Sequence, residues 1–205
     1  MATVIGNMTM SLDGFIAFPN DDVGPLFDWY QQGPVETPSA SEDWSYKTDA
    51  KSAESLREAP KVIGALICGR RLFEITHGWG GKHPVGCPVI VVCHSVPEGW
   101  PRQEIPFHFV TDGVESAVAL ARRIAGDRVV AVATPSITQQ CLNLGLLDEI
   151  RVDLAPVLLG EGIPWFANLA NAPVLLDDPE VSTGLRVTHL SYRVRKGEKL
   201  RDKQS

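Results

Sequence analysis

Short apolar runs, separated by polar and turn-rich stretches, set the rhythm of this chain. Val129-Val130-Ala131-Val132-Ala133 is continuously apolar, the pattern of a strand buried on both faces. Thr134-Pro135-Ser136 then punctuates the chain, with Ser136 able to cap the next helix. Ile137, Cys141, Leu142 and Leu144 recur at helical spacing, and Gly145 reads as the stop. Beyond it, Ile150, Val152 and Leu154 alternate with Arg151 and Asp153, the period of a strand. The segment from Val129 to Phe166 therefore predicts strand, tight turn, helix, strand. Such a turn sets a helix N-terminus at the carboxyl edge of a sheet, where free amides and the helix dipole favour an anion. A βαβ unit with no ligand would show the same pattern.

The same pattern extends along the chain. Residues 2–10 predict a first strand, and Asp13-Gly14 a bend or bulge before Phe15-Ile16-Ala17. Leu26, Phe27, Trp29 and Tyr30 form an aromatic cluster at helical spacing, either core or the wall of a pocket for a flat ring. Residues 33–46 read as a surface loop, with Trp44 and Tyr46 suggesting a flap or a subunit contact. A helix is expected from Thr48 to Glu58, ended by Pro60. Val62–Cys68 predicts a central strand, and Gly69-Arg70-Arg71 a second strand-to-helix turn with anion-binding logic. Pro88–Cys93 is a further buried strand ending in His94-Ser95. Phe107–Val110 is a short strand, and Val114–Ile124 an amphipathic helix closed by Gly126. Trp165-Phe166 is core or dimer surface. From Val187 to Arg195, Thr188, Leu190, Tyr192 and Val194 alternate with His189, Ser191, Arg193 and Arg195. Helices and strands alternate until about residue 145, after which strands dominate. This predicts an α/β fold with a mixed, mainly parallel twisted sheet flanked by helices and an antiparallel C-terminal hairpin.

Composition narrows the functional classes. With 205 residues the chain suits one domain, expected over 1–195, followed by a charged, frayed tail at 196–205. A net charge of −6 argues against a nucleic-acid surface. No apolar run approaches a membrane span, and a cytoplasmic protein is expected. The four cysteines form no CxxC pair and read as buried free thiols, with neither a disulfide framework nor a zinc site. His77–Gly86 is glycine-rich but lacks the spacing of a nucleotide P-loop, and His77 and His83 read as solvated loop residues, not metal ligands.

Three segments in order, MTMSLDGFIA at 8–17, ICGRRLFE at 67–74 and GLLDEIRVDLAPVLLGEGIPWF at 145–166, resemble the dihydrofolate reductase superfamily. The branch they are most similar to is the C-terminal reductase domain of bacterial riboflavin biosynthesis. The resemblance implies a dihydrofolate-reductase-like fold and a reductase that passes hydride from NADPH to a small flat heterocycle or a related carbonyl or imine. It implies that Ala17 lies near the nicotinamide carboxamide and that Gly69, Arg70 and Arg71 sit under adenosine-side phosphates. His94 and Ser95 would flank the ribose 2′-phosphate. Thr134, Pro135, Ser136, Ile137 and Thr138 would cradle the pyrophosphate. Asp13 would hold the strand bend or touch substrate, Trp29 and Tyr30 would face it, and a homodimer would form through the C-terminal sheet edge. One departure stands out: family members carry a Gly-Gly pair, commonly joined by a cis peptide, where this chain has Ala133-Thr134. Thr134-Pro135 is expected to supply an irregular turn in its place. If it cannot, the alternative is a catalytically inactive, dimeric ligand-binding or structural relative.

Overall fold

The computed structural model describes residues 1–41, 44–100 and 106–196; residues 197–205 of the charged tail lie outside the described residues. One eight-stranded sheet runs through them. Its strands in chain order are β1 (Val4–Ser11), β4 (Ile63–Gly69), β5 (Val89–Val92), β6 (Phe107–Val110), β7 (Val129–Val132), β8 (Glu149–Ala155), β9 (Glu180–Gly184) and β10 (Val187–Arg193). The spatial order is β6-β5-β4-β7-β1-β8-β10-β9. From β6 through β8 every pairing is parallel, whereas β10 runs antiparallel to β8 and to β9. The mixed, mainly parallel sheet with its antiparallel C-terminal hairpin is thus the observed fold.

The continuously apolar strands are central because both of their faces are covered. In β4, Ala65 and Ile67 join one core cluster while Leu66 and Cys68 join another on the opposite face, as a two-residue period requires. The first cluster is closed by α3 (Val114–Ala125), α4 (Pro135–Asn143) and Trp165, which is fully buried and therefore core. On α3, Val114, Ala117, Val118, Ala121 and Ala125 make the buried stripe, and each fully buried valine contributes about 1.5–3 kcal/mol. That helix lies very close to the sheet. A Cβ on Gly64 would stand 2.6 Å from the Ala125 Cα. The second cluster gathers Phe73, from α2 (Arg70–Ile75), with Phe107, Val89 and Val91.

Three local expectations give way. Residues 33–46 are not a plain loop: β2 (Val35–Pro38) and β3 (Ser45–Thr48) pair antiparallel, with Thr37 and Thr48 buried beneath them. The polar composition hid an alternation whose inner face is threonine. Pro60 does not end its helix, because α1 (Ala50–Val62) runs through it. The ring removes one amide donor near the helix end, and the Ile63 N–H still reaches the Ala59 carbonyl. His83 is not solvated. It packs edge-on against Trp79 at 4.6 Å, its Nδ1 accepts from the Val85 N–H, and burial pushes its pKa down to about 4. The cysteines behave as expected, all four thiols being free and buried. No helix among the described residues is long and apolar enough to cross a membrane.

Candidate active site

Because β4 and β7 are neighbours, the turns that leave their carboxyl ends lie side by side. The Gly69 N–H donates to Thr134 Oγ1 at 3.2 Å. A Cβ on Gly69 would meet Thr134 Oγ1, Ile137 Cγ1 and Ser136 Oγ at 3.7–3.9 Å, so the two sequence-predicted turns form one hollow. The helix there starts earlier than expected. Pro135 is its first residue, where a fixed φ and a missing N–H are tolerated, and Thr134 is its N-cap. Ser136 is therefore inside the helix and does not cap it. Thr134 makes no side-chain cap either, since its hydroxyl is turned to Gly69. The Thr134–Pro135 peptide is trans and Thr134 is extended at φ −146°, ψ 147°, so the expected irregular turn is replaced by a regular one. The amides of Ser136 and Ile137 fall in the first turn, where a helix offers no internal acceptors and the dipole is positive. Thr138 points inward. It is fully buried, its N–H donates to the Thr134 carbonyl at 3.0 Å, and its hydroxyl has no partner among the described residues.

The paired arginines are split by the structure. Arg70 stays at the sheet edge, where Nη1 donates to the Ser95 carbonyl at 3.3 Å and to Ser95 Oγ at 3.2 Å, while Nε pairs with Glu74 at 2.7 Å. His94, beside Ser95, is exposed. Arg71 turns the other way. Its Nε and Nη2 grip Asp21 at 2.8 and 2.6 Å, and that hydrogen-bonded carboxylate holds the guanidinium pKa above its ordinary value. Arg71 thus clamps the loop after β1 to α2. At six residues, α2 adds little dipole of its own.

At the end of β1 the chain bends as Asp13-Gly14 predicted, with Gly14 at φ 91°. Asp13 accepts from Ser11 Oγ at 2.5 Å, from the Leu159 N–H at 3.2 Å and from the Gly160 N–H at 2.7 Å. The Ser11 bond leads the effects that keep its carboxyl below the ordinary pKa, so Asp13 is an acceptor that ties the bend to the turn after β8. Ala17 is buried, and its carbonyl accepts from the Ile163 N–H at 2.8 Å.

A polar cluster that sequence reasoning missed lies on the other side of β1. Thr9, Asp153 and His189 stand in register across β1, β8 and β10. The ring of Trp29, from the 3-10 turn Gly24–Gln31, meets His189 edge-on at 5.4 Å and donates through Nε1 to Thr9 Oγ1 at 3.4 Å. Trp29 is buried, Asp28 beside it is exposed, and Tyr30 packs on Trp29 at 4.1 Å and on Tyr46 at 5.0 Å. Burial, then the Asp153 charge and Tyr46, holds the Tyr30 phenol well above its ordinary pKa. His189 Nδ1 lies 2.7 Å from Asp153 Oδ1, and Nε2 lies 3.0 Å from Ser52 Oγ. Ser52 in turn donates to Asp49 Oδ2 at 2.7 Å. The only advance signal was a histidine on the polar side of a strand.

Serine, histidine and aspartate in this sequence of contacts outline a nucleophile triad. The chemistry excludes it. Ser52 is 1% exposed and its proton is directed at Asp49, away from the histidine that would have to remove it.

No family model matches the chain. Two proteins of Bacillus subtilis, both described as uncharacterized, are similar to it. YwjB is 19% identical over 68% of this chain and 79% of its own length, and YyaP is 25% identical over 81% of both. Among solved structures, one described as a riboflavin biosynthesis protein from Shewanella sp. PV-4 has a TM-score of 0.71 at 21% identity, covering 96% of this chain and 100% of its own. The diaminohydroxyphosphoribosylaminopyrimidine deaminase/5-amino-6-(5-phosphoribosylamino)uracil reductase of Thermotoga maritima gives 0.60 at 14% identity over 95% of this chain and 57% of its own. Dihydrofolate reductase from Enterococcus faecalis, complexed with NADP(H), gives 0.56 at 13% identity over 95% and 97%. These likenesses establish the fold as that of dihydrofolate reductase and of the riboflavin-pathway reductases.

Proposed function

We propose that the protein is an NADPH-dependent reductase acting on a small pterin- or pyrimidine-like heterocycle, or on a related carbonyl or imine. One observation carries the reading: the open first turn of α4 adjoins the Gly69 hollow at the carboxyl edge of the sheet, one strand from the Arg70–Ser95 pair. Two free amides at a helix dipole suit a pyrophosphate, and a guanidinium beside a hydroxyl suits a further phosphate. Thr134 supports the fit despite replacing glycine, because its hydroxyl is drawn to Gly69 and leaves the helix end open. Ala17 would lie near the nicotinamide, and Trp29 and Tyr30 near the substrate. Bound there, the cofactor supplies hydride, while the protein supplies position and electrostatics. The same reading includes a homodimer through β9, an edge strand on which Val181 is 58% exposed.

Titration with NADPH and NADH, followed by energy transfer from the five tryptophans, tests the proposal. Saturable micromolar NADPH binding is expected. Arg70→Ala should weaken it tenfold or more, while Arg71→Ala, whose guanidinium is already engaged by Asp21, should weaken it less. Absence of binding at millimolar cofactor would favour the second reading, a non-catalytic relative, for which the Ala133-Thr134 departure and the engaged Arg71 speak.

A further inference from the structure

A reductase needs a proton as well as a hydride, and Asp13, with both oxygens already accepting hydrogen bonds, is poorly placed to give one. Hydrogen-bond counting in the Asp49–Ser52–His189–Asp153 chain points to another source. Asp49 is ionised, its carboxyl drawn down to about 2; burial opposes this and is outweighed by the Ser52 hydroxyl and the Leu185, Ser52 and Lys51 amides. It brings no proton of its own, so the single Ser52 hydroxyl proton goes to Asp49 Oδ2. Ser52 Oγ can then only accept from His189, which puts a proton on Nε2. The 2.7 Å contact between Nδ1 and Asp153 Oδ1 requires a proton as well. The pair therefore holds one proton more than a neutral imidazole beside a carboxylate.

We propose that His189 and Asp153 form a built-in proton carrier and, on the reductase reading above, the donor for the reduction. The carrier sits beside the aromatic residues expected at the substrate, with Trp29 against the His189 ring and Tyr30 near Asp153. It stands two residues, roughly 7 Å of strand, behind Ser11 at the carboxyl end of β1. The two side chains remain 19% and 18% exposed, so the proton can leave and be replaced. The balance is simple. When bound, the cofactor would supply a hydride to the substrate's C=N or C=O carbon and would itself be oxidised as the substrate is reduced by two electrons. The substrate heteroatom, which keeps the electron pair of the broken π bond, takes the proton held by the pair, and solvent returns that proton. Charged and titratable groups around the pair are Asp49, the cap of α1, reached through Ser52; Tyr30 from the 3-10 turn with Tyr46 of β3 behind it; and, on the same side of the sheet by register, Arg151 and Glu149 of β8, Arg193 of β10 and Glu180 of β9. Asn7 of β1 donates to Asp153 Oδ2 at 3.4 Å. Ser52 and Asp49 act as positioning residues, fixing which ring nitrogen faces Asp153.

The test uses the full chain labelled with ¹⁵N-histidine, whose five imidazoles give a countable spectrum. In the wild type without cofactor, both ring nitrogens of His189 should carry a proton, one shared with Ser52 and one with Asp153. Asp153→Asn should leave only the Nε2 proton, and Asp153→Glu should restore the second. In parallel, NADPH affinity should be unchanged in Asp153→Asn, while single-turnover reduction of 5-amino-6-(5-phosphoribosylamino)uracil or dihydrofolate slows by roughly 10²-fold and loses its pH dependence. A singly protonated wild-type His189, or wild-type turnover in Asp153→Asn, overturns the inference with cofactor binding intact. Failure of NADPH to bind brings down the reductase reading itself and the donor role with it, a result separable from the first because the spectrum is taken without cofactor.

Discussion

Asp49 holds together parts of the chain that are far apart in sequence, and its removal gives a prediction that can be worked from the geometry. Its Oδ1 caps α1 by accepting from the Lys51 and Ser52 amides at 2.9 and 3.1 Å. Its Oδ2 accepts from Ser52 Oγ at 2.7 Å and, across the β9–β10 turn, from the Leu185 amide at 2.9 Å. Loss of an N-cap costs about 0.5–2 kcal/mol. Leaving two further donors without their acceptor adds about 1 kcal/mol each at most, less where water replaces it. Asp49→Ala should therefore lose about 2–3 kcal/mol, or roughly 5–10 °C of melting temperature for a chain of this size. Asp49→Asn keeps one oxygen for the cap and presents an amide to Ser52 and Leu185, so it should lose about half as much. The charge adds a pH signature. A carboxyl lowered from 3.8 to about 2 favours the folded state by about 2 kcal/mol, and by about 1 after screening on its open side. Because its folded pKa is depressed, that contribution is complete above about pH 4 and disappears as pH falls towards 2. Urea denaturation of the three proteins at pH 7 and in steps down to pH 2 measures all of this. Equal stabilities of wild type and Asp49→Asn at pH 7 would refute the bridging role, and a difference that does not shrink below pH 4 would refute the electrostatic one.

Burial sets the remaining expected outcomes. Cys68 and Cys141 are pushed by burial up to about 12, and Cys87 to about 11, so a disulfide reagent at pH 8 should modify them only on the timescale of unfolding, with all four thiols reacting at once in denaturant. His83 should stay neutral until the pH approaches 4, seen as an imidazole resonance that does not move between pH 8 and 5. The unfolded chain takes up that proton first, so His83 should cost stability as pH falls below about 6.5, and His83→Phe should flatten that slope. Gly64→Val should destabilise by about 1–3 kcal/mol, since its Cβ alone would stand 2.6 Å from the Ala125 backbone; an unchanged urea midpoint would show that α3 can move off the sheet freely.

The strands β4, β5 and β7, the stripe of α3 and the alternation of β10 were legible because each reports its own burial through a local period. So was the delivery of two helix N-termini to the carboxyl edge, because a strand followed by a turn and a helix in a parallel sheet must place them there, whereas the adjacency of the two turns came only from the strand order, in which β4 and β7 are neighbours. The β2–β3 hairpin was not legible, since its buried residues are threonines in a polar stretch. The helix through Pro60 was not, because a proline in the last turn removes a donor without preventing the ending that Ile63 completes.

The sequence by itself determined the class of fold and the sheet edge to which two helix N-termini are delivered, through hydrophobic periods and turn residues that act over a few positions. Only the tertiary structure decided what the polar residues do there. Arg70 and Arg71 are neighbours in the chain, yet one serves the sheet edge and the other clamps the loop after β1, because successive residues at the start of a helix point in different directions. Asp49, Ser52, Asp153 and His189 carry no local signal. Sheet register sets His189 opposite Asp153, and the start of α1 brings Ser52 to a histidine 137 residues away. Hydrogen bonds of that kind depend on where strands pair and helices dock, and those positions are fixed by the packed core as a whole.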